Sequence, residues 1–329
     1  MTEAHEPVQA APVFTASGLR DALQPHLQPT DSPSLEKHAR QMNEDAESRA
    51  AVCGALNWTA FSAPAATTSV YDAIANGVLG STLPAAAIAA DSVPLPDRFW
   101  TAYAEVLTGP PEGYDAGTIT AAVASLGGAV HEDFGALAEA AAQAHPGAER
   151  AAAKPVPKMI ALEELASCPE TSLGNTLYRM LVENNFDPEV LDREAIGLAG
   201  LTPALRYVNT RILQMHDVWH LVAGYETTSL HEIAISAFQL AQFGHNYSGM
   251  FLATVATRSH LSGGVGFEVL FRTVAEAWQH GRQTTPFMDI DFETHWPQPI
   301  EEIRRRFAIE PYAGTYPADL FEQLAAAGG

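Results

Sequence analysis

The run TPALRYVNTRILQMHDVWHLVAGYETTSLHEIAISAFQLAQF, residues 202–243, decides how this chain is read. Pro203 near its start and Gly224 further on bracket one long helical pattern, with the glycine placed as a C-cap. After the short turn YETT, Ser229 reads as the N-cap of a second helix that continues through IAISAFQLAQF. Glu232 then falls at the third helical position, the capping-box arrangement. Two helices joined so tightly run antiparallel, and residues on one can face residues on the other.

Helical spacing extends outward from this pair. LGNTLYRMLVENNF (173–186) carries apolar residues at 173, 177, 180 and 181; FEVLFRTVAEAWQHG (267–281) is expected to end at Gly281; QPIEEIRRRFAI (298–309) is expected as a short final helix. Upstream, AESRAAVCGALNW, RFWTAYAEVL, AGTITAAVASLGGAV and EDFGALAEAAAQAH suit short Ala-rich helices separated by Pro and Gly clusters such as GPPEGYDAG at 109–117. Strand alternation is nearly absent. The expected fold class is all-α: a multi-helix bundle with an Ala-rich helical N-terminal extension. Residues 1–45 read as a mobile or loosely packed arm, 46–150 as the Ala-rich helical region, 149–159 as a linker, 160–312 as a metal-binding helical domain and 313–329 as a tail.

The chain has 329 residues, 47% of them hydrophobic and 17% charged, which supports a packed core and excludes wholesale disorder. Its 39 Asp and Glu against 18 Lys and Arg leave a net charge of −21, a balance that repels nucleic acid and anionic headgroups. RRR at 304–306 is the one basic run singled out, and a solvated helix face explains it. Two cysteines far apart, Cys53 and Cys168, offer neither a disulfide framework nor a thiolate zinc site and suit a reducing compartment. The N-terminus resembles neither a signal peptide nor a transit peptide, and no run reaches the roughly 18 apolar residues a spanning helix needs. A cytoplasmic protein, peripheral at most at the inner face of a membrane, is expected.

The chemistry sits inside the opening run. At about 100° per residue, His216, Asp217 and His220 lie within one arc of their helix, and the i, i+4 spacing brings two imidazoles to one point. Glu232, returning on the next helix, completes a set of two imidazoles and two carboxylates. Such donors suit one divalent metal: zinc first, with iron(II) or manganese as alternatives. Plainer readings stand beside this one: two histidines on a polar helix face, and Glu232 as no more than a capping glutamate. An HD-type phosphohydrolase would need a further His and Asp, for which His131 and Asp289 are the nominees. A metalloprotease would need Glu where Asp217 stands. SGGVGFEV (262–269) completes no nucleotide-binding loop, and Cys168 reads as an inert thiol.

The second half resembles the coenzyme Q biosynthesis protein 4 family. The likeness rests on His216, Asp217, His220 and Glu232 as HDxxH followed by eleven residues and Glu. It takes in Gly224, with Tyr207 and Arg211 in YVNTR, and LASCPETSLGNTLYRML (165–181), WQHGR (278–282) and ETHWPQPIEEIRRRFAI (293–309) in order. The resemblance implies an all-helical protein that binds a divalent metal through those four residues and holds a polyprenyl chain in an apolar channel. The implied reaction is oxidative decarboxylation at C1 of a polyprenylated hydroxybenzoate-type precursor, a hydroxyl replacing the carboxyl group. Implied partners are that intermediate and other quinone-biosynthesis proteins, with a homo-oligomer as an option. Tyr207, Arg211 and Arg282 are candidate substrate-binding residues; Arg211 could instead brace Glu232 or form a structural ion pair. A non-catalytic prenyl-lipid scaffold, in which the metal only holds helices together, is the competing reading.

Overall fold

The computed structural model describes residues 13–28, 31–84, 86–110, 113–114, 116–184, 186, 197–264 and 266–327. Among them the chain forms fifteen α-helices and no strand, as expected. In order these are α1 (Ala16–Leu23), α2 (Ser32–Gln41), α3 (Ala46–Phe61), α4 (Thr67–Leu79), α5 (Asp97–Thr108), α6 (Ala116–Ser125), α7 (Phe134–Ala144), α8 (Leu162–Ala166), α9 (Leu173–Asn184), α10 (Pro203–Ala223), α11 (Ser229–Phe243), α12 (Asn246–Leu261), α13 (Phe267–Gln283), α14 (Ile300–Phe307) and α15 (Leu320–Ala327).

One hydrophobic core runs from Leu19 to Ile309. α11 packs along α13, α12 lies on α3, and α13 also lies on α4, so the Ala-rich helices share their core with the later ones. Small side chains make this possible, because alanine and glycine let helix axes approach closely. At Gly281 a Cβ would sit 2.8 Å from both the Phe238 carbonyl oxygen and the Ala241 Cβ. Gly281 is therefore the contact point between α13 and α11, not a stop signal, and α13 continues to Gln283.

Several expectations change. The supposed loose arm over 1–45 carries α1 and α2, whose Leu19, Leu23 and Leu35 are buried; residues 1–12 and 29–30 lie outside the described residues. The linker expected at 149–159 is fastened to the second half: Arg150 pairs with Asp289 at 2.7 Å and Lys154 donates to the Met288 carbonyl at 2.6 Å. α14 is not the final helix, because α15 follows within the supposed tail. Helices α4 and α12 are enclosed on more than one face. α4 is buried continuously from Val70 to Gly77 and α12 on several sides, so neither carries one apolar stripe.

Candidate metal centre

The two helices that carry the candidate residues are fixed at their ends by side chains remote in sequence. Glu139 on α7 caps α10: its carboxylate accepts from the backbone N–H groups of Ala204 and Leu205, both at 3.0 Å, and from the Thr202 hydroxyl at 2.6 Å. At the other end Gly224 takes the left-handed conformation, φ 80°, and both its N–H and that of Tyr225 reach the His220 carbonyl. Arg304 donates to the carbonyls of Leu221 and Val222, so the first arginine of the basic run closes α10 rather than facing water. At the start of α11 the N-cap is Thr228, not Ser229, and no capping box forms. Glu322 from α15 instead accepts from the Ser229 N–H and hydroxyl. Glu232 is thereby released from capping duty and turns toward α10.

Three of the four expected ligands meet. His216 Nε2 lies 3.1 Å from His220 Nε2, and the Glu232 carboxylate oxygens lie 3.3 Å from each. A tetrahedral ion with bonds of about 2.0–2.1 Å places its ligand atoms about 3.3–3.4 Å apart, so these separations are close to the edges of such a tetrahedron. Asp217 stands outside this group of donor atoms. It is one position further round the helix than His216. Burial pushes its carboxyl above the ordinary value, with the two imidazoles pulling the other way.

The groups around the point have the chemistry of donors to a cation. His220 Nδ1 faces the Tyr225 carbonyl at 3.2 Å; a carbonyl only accepts, so Nδ1 carries the proton and, in the neutral ring, Nε2 presents a lone pair. That lone pair faces a carboxylate and a second imidazole. For His216 burial alone would lower the pKa, but the hydrogen bond to Glu232 and the charges of Glu232 and Asp217 raise it overall. Burial would raise Glu232, yet its bonds to the two histidines hold it well below the usual carboxylate range. The donor set of two imidazoles and one carboxylate fits a divalent ion. Glu232 is the open member, its side chain 40% exposed while that of His220 is 1% exposed.

Other candidates fall elsewhere. Arg211 does not brace Glu232; it is buried and forms a two-pronged pair with Glu293. Tyr207 lies on the opposite side of α10 from His216, beneath the Lys154 ammonium at 5.5 Å from its ring. Arg282 holds the buried Asp72 of α4, not an external anion. His231, beside Glu232 in sequence, accepts the Glu226 N–H and turns away. The phosphohydrolase nominees are also committed elsewhere: His131 contacts Asp133 at 3.6 Å, and Asp289 holds Arg150. Burial raises both thiols, Cys53 and Cys168, as inert groups require. One residue escaped the sequence reading. Gln239 lies 2.8 Å from His216 Nδ1. It is seven positions after Glu232, hence on the same face of α11, and that spacing was the available signal.

Fold and site together define an all-helical protein with a candidate two-histidine, one-glutamate metal centre between antiparallel helices. The family model for "Coenzyme Q (ubiquinone) biosynthesis protein Coq4" matches residues 134–313, more than half of the sequence, and the chain belongs to that family. A mitochondrial ubiquinone biosynthesis protein COQ4 homologue from Rattus norvegicus is 30% identical over 153 residues, 46% of this chain and 55% of the relative. The Mus musculus homologue is 29% identical over 153 residues, 46% of this chain and 54% of the relative. The chain thus matches about half the length of these curated relatives. A crystal structure from Nostoc punctiforme, described as that of a ubiquinone biosynthesis protein, shares 22% identity at a TM-score of 0.49 over 65% of this chain and 98% of that one.

Proposed function

We propose that this chain is a metal-dependent enzyme of ubiquinone biosynthesis that exchanges the C1 carboxyl group of a polyprenylated hydroxybenzoate-type ring for a hydroxyl. The observation that carries the reading is the meeting of His216 Nε2, His220 Nε2 and the Glu232 carboxylate, with His220 Nδ1 tied to the Tyr225 carbonyl. A divalent ion held by these three residues would supply a Lewis acid for the hard oxygen donors of the ring's carboxylate and hydroxyl. Two imidazoles and one carboxylate suit catalytic zinc and non-haem iron(II) alike.

The chain's own residues do the rest. Glu232 is the exposed edge of the site and the side from which a head group approaches. Asp217 adds negative charge beside the imidazoles, offsetting a dication without binding it. The carboxyl group would leave as carbon dioxide, and the exchange needs one oxygen atom and a two-electron oxidant, so dioxygen as a co-substrate belongs to the reaction. The ring's polyprenyl tail needs apolar surface; in the membrane, contact by a protein of charge −21 relies on such surface rather than on charge attraction. No described helix is long and apolar enough to cross a membrane.

The test is metal analysis of purified protein, joined to aerobic turnover of the prenylated ring acid by wild type and Glu232→Ala. The reading expects about one divalent ion per chain, lost with C1 turnover in the variant. A folded, metal-free Glu232→Ala that still turns over the ring acid would leave the ion structural and favour the scaffold.

A further inference from the structure

Behind His216, the half-buried Asn209 and the buried His245, Ser248 and Gln239 form a chain of polar side chains through three helices. Asn209 on α10 donates its amide N–H to the Leu205 carbonyl at 2.8 Å. A carbonyl only accepts, so this bond fixes the amide, and Asn209 Oδ1 faces His245 Nε2 at 3.2 Å. That oxygen also only accepts, so His245 carries its proton on Nε2. Burial holds the His245 pKa down at about 3; the ring is neutral and its Nδ1 is a bare acceptor. Ser248 Oγ lies 2.9 Å from that Nδ1 and must give it the hydroxyl proton.

Gln239 connects Ser248 to the site. One end of its amide is 3.5 Å from Ser248 Oγ and the other is 2.8 Å from His216 Nδ1. The two ends have the same shape, and their surroundings decide which is nitrogen. As placed, Oε1 is toward Ser248 and Nε2 toward His216; the chain of side chains requires the reverse. With its proton committed to His245, Ser248 can only accept from Gln239, so the NH2 end belongs there. The carbonyl end then faces His216 and demands a proton on Nδ1. A neutral His216 in that state has its lone pair on Nε2, pointing at the place His220 and Glu232 share.

We propose that Gln239, oriented by Ser248, is a positioning residue that holds His216 in the Nδ1–H tautomer and so keeps Nε2 available to the metal. His220 receives the same service from the Tyr225 carbonyl. Partners of this kind typically carry 10–100-fold in metal affinity, about as much as their ligands' orientation is worth. The proposal rests on the metal-binding reading above.

The experiment measures zinc affinity of the full chain by chelator competition, beside the melting temperature of the metal-free protein. Gln239→Leu removes the acceptor and is expected to weaken zinc about 10–100-fold. Gln239→Glu, whose carboxylate can only accept from Nδ1–H, is expected to bind zinc at least as tightly as wild type. Ser248→Ala frees the amide to turn and is expected to weaken zinc measurably, with little change in the metal-free melting temperature. The proposal is overturned if folded Gln239→Leu keeps wild-type affinity, or if Gln239→Glu is as weak as Gln239→Leu. Should Gln239→Leu not fold, Ser248→Ala decides, and unchanged zinc affinity there overturns the proposal. A wild type that holds no zinc, iron or manganese would instead sink the metal reading on which this one stands.

Discussion

Trp278 donates its indole N–H to Asp72 at 2.8 Å, across 206 residues of chain. Arg282, one turn further along α13, shares the same carboxylate, and the Trp278 ring stacks on Tyr71 at 4.8 Å. Asp72 is buried, and burial raises its pKa against the pull of Trp278 and Arg282. An Ala-rich helix outside the matched family region therefore anchors one that lies within it. Asp72→Ala strands an indole N–H and leaves a guanidinium without its partner. We expect a loss of about 2–4 kcal/mol in urea unfolding at neutral pH. Zinc affinity of the folded fraction should not change, because neither Trp278 nor Arg282 reaches the histidines.

Gly281→Ala tests the closest approach of α11 and α13. The added methyl group would meet backbone, the Phe238 carbonyl oxygen, at 2.8 Å, and cannot be relieved by a side-chain rotation. Although alanine is the better helix former by about 1 kcal/mol, overpacking of about 1–3 kcal/mol should dominate. A lowered melting temperature is the expected result; a raised one would show that the helix pair yields easily.

The contrast between Gly224 and Gly281 explains how much the sequence could say. Gly224 does what its position announces: it ends α10 in a left-handed conformation, a local property. Gly281 looks the same in sequence, but its role is set by a helix forty residues away. The site divides in the same way. His216 and His220 are i, i+4 on one helix, and Glu232 follows a short turn, so their meeting was legible. That Asp217 stands apart from the cluster of the other three was not, because neighbours on one arc give no measure of where each side chain ends. Nor were the partners of Arg211, Arg282 and Arg304, which are Glu293, Asp72 on α4 and the carbonyls at the end of α10; long-range pairs leave no periodicity to read. The capping box at Ser229 was a sound local expectation, overridden by Glu322 from the far end of the chain.

The Arg211–Glu293 pair should behave asymmetrically. Arg211 has only 7% of its side chain exposed against 40% for Glu293. Removing the carboxylate leaves a charge in the core, whereas removing the arginine leaves one that water can reach. Glu293→Ala is expected to cost about 2–3 kcal/mol and Arg211→Met clearly less. Both should keep wild-type zinc affinity, measured as above. Arg211→Met protein that folds but loses zinc would put the guanidinium back at the metal centre.

Stability should also fall on mild acidification, and the histidines whose pKa burial lowers set the sign: His145 and His245, with His231, His260 and His280 shifted the same way. Burial holds His145 down at about 4, with the Arg282 charge adding to the effect, and holds His245 down at about 3. Both ordinarily titrate near 6.5, so below that pH the unfolded chain binds more protons than the folded one. Their contribution is complete above about pH 7, declines as pH falls through 6.5, and goes on declining toward their folded values. His216, whose pKa is raised, works in the opposite sense: it adds stability below 6.5 and loses it as pH rises through its folded value. The window from about pH 6.5 to 5 separates these effects from carboxylates at their ordinary values, which titrate lower. In metal-free protein, urea stability should therefore drop across that window. Each histidine kept neutral contributes up to about 1.4 kcal/mol per pH unit. His145→Gln retains an acceptor for the Gly147 N–H, which now bonds Nδ1 at 3.1 Å, but cannot titrate. Its stability should fall less steeply than wild type by up to that amount. An unchanged slope would mean that His145 takes up its proton without unfolding the chain, by turning its ring out from beneath Gly244.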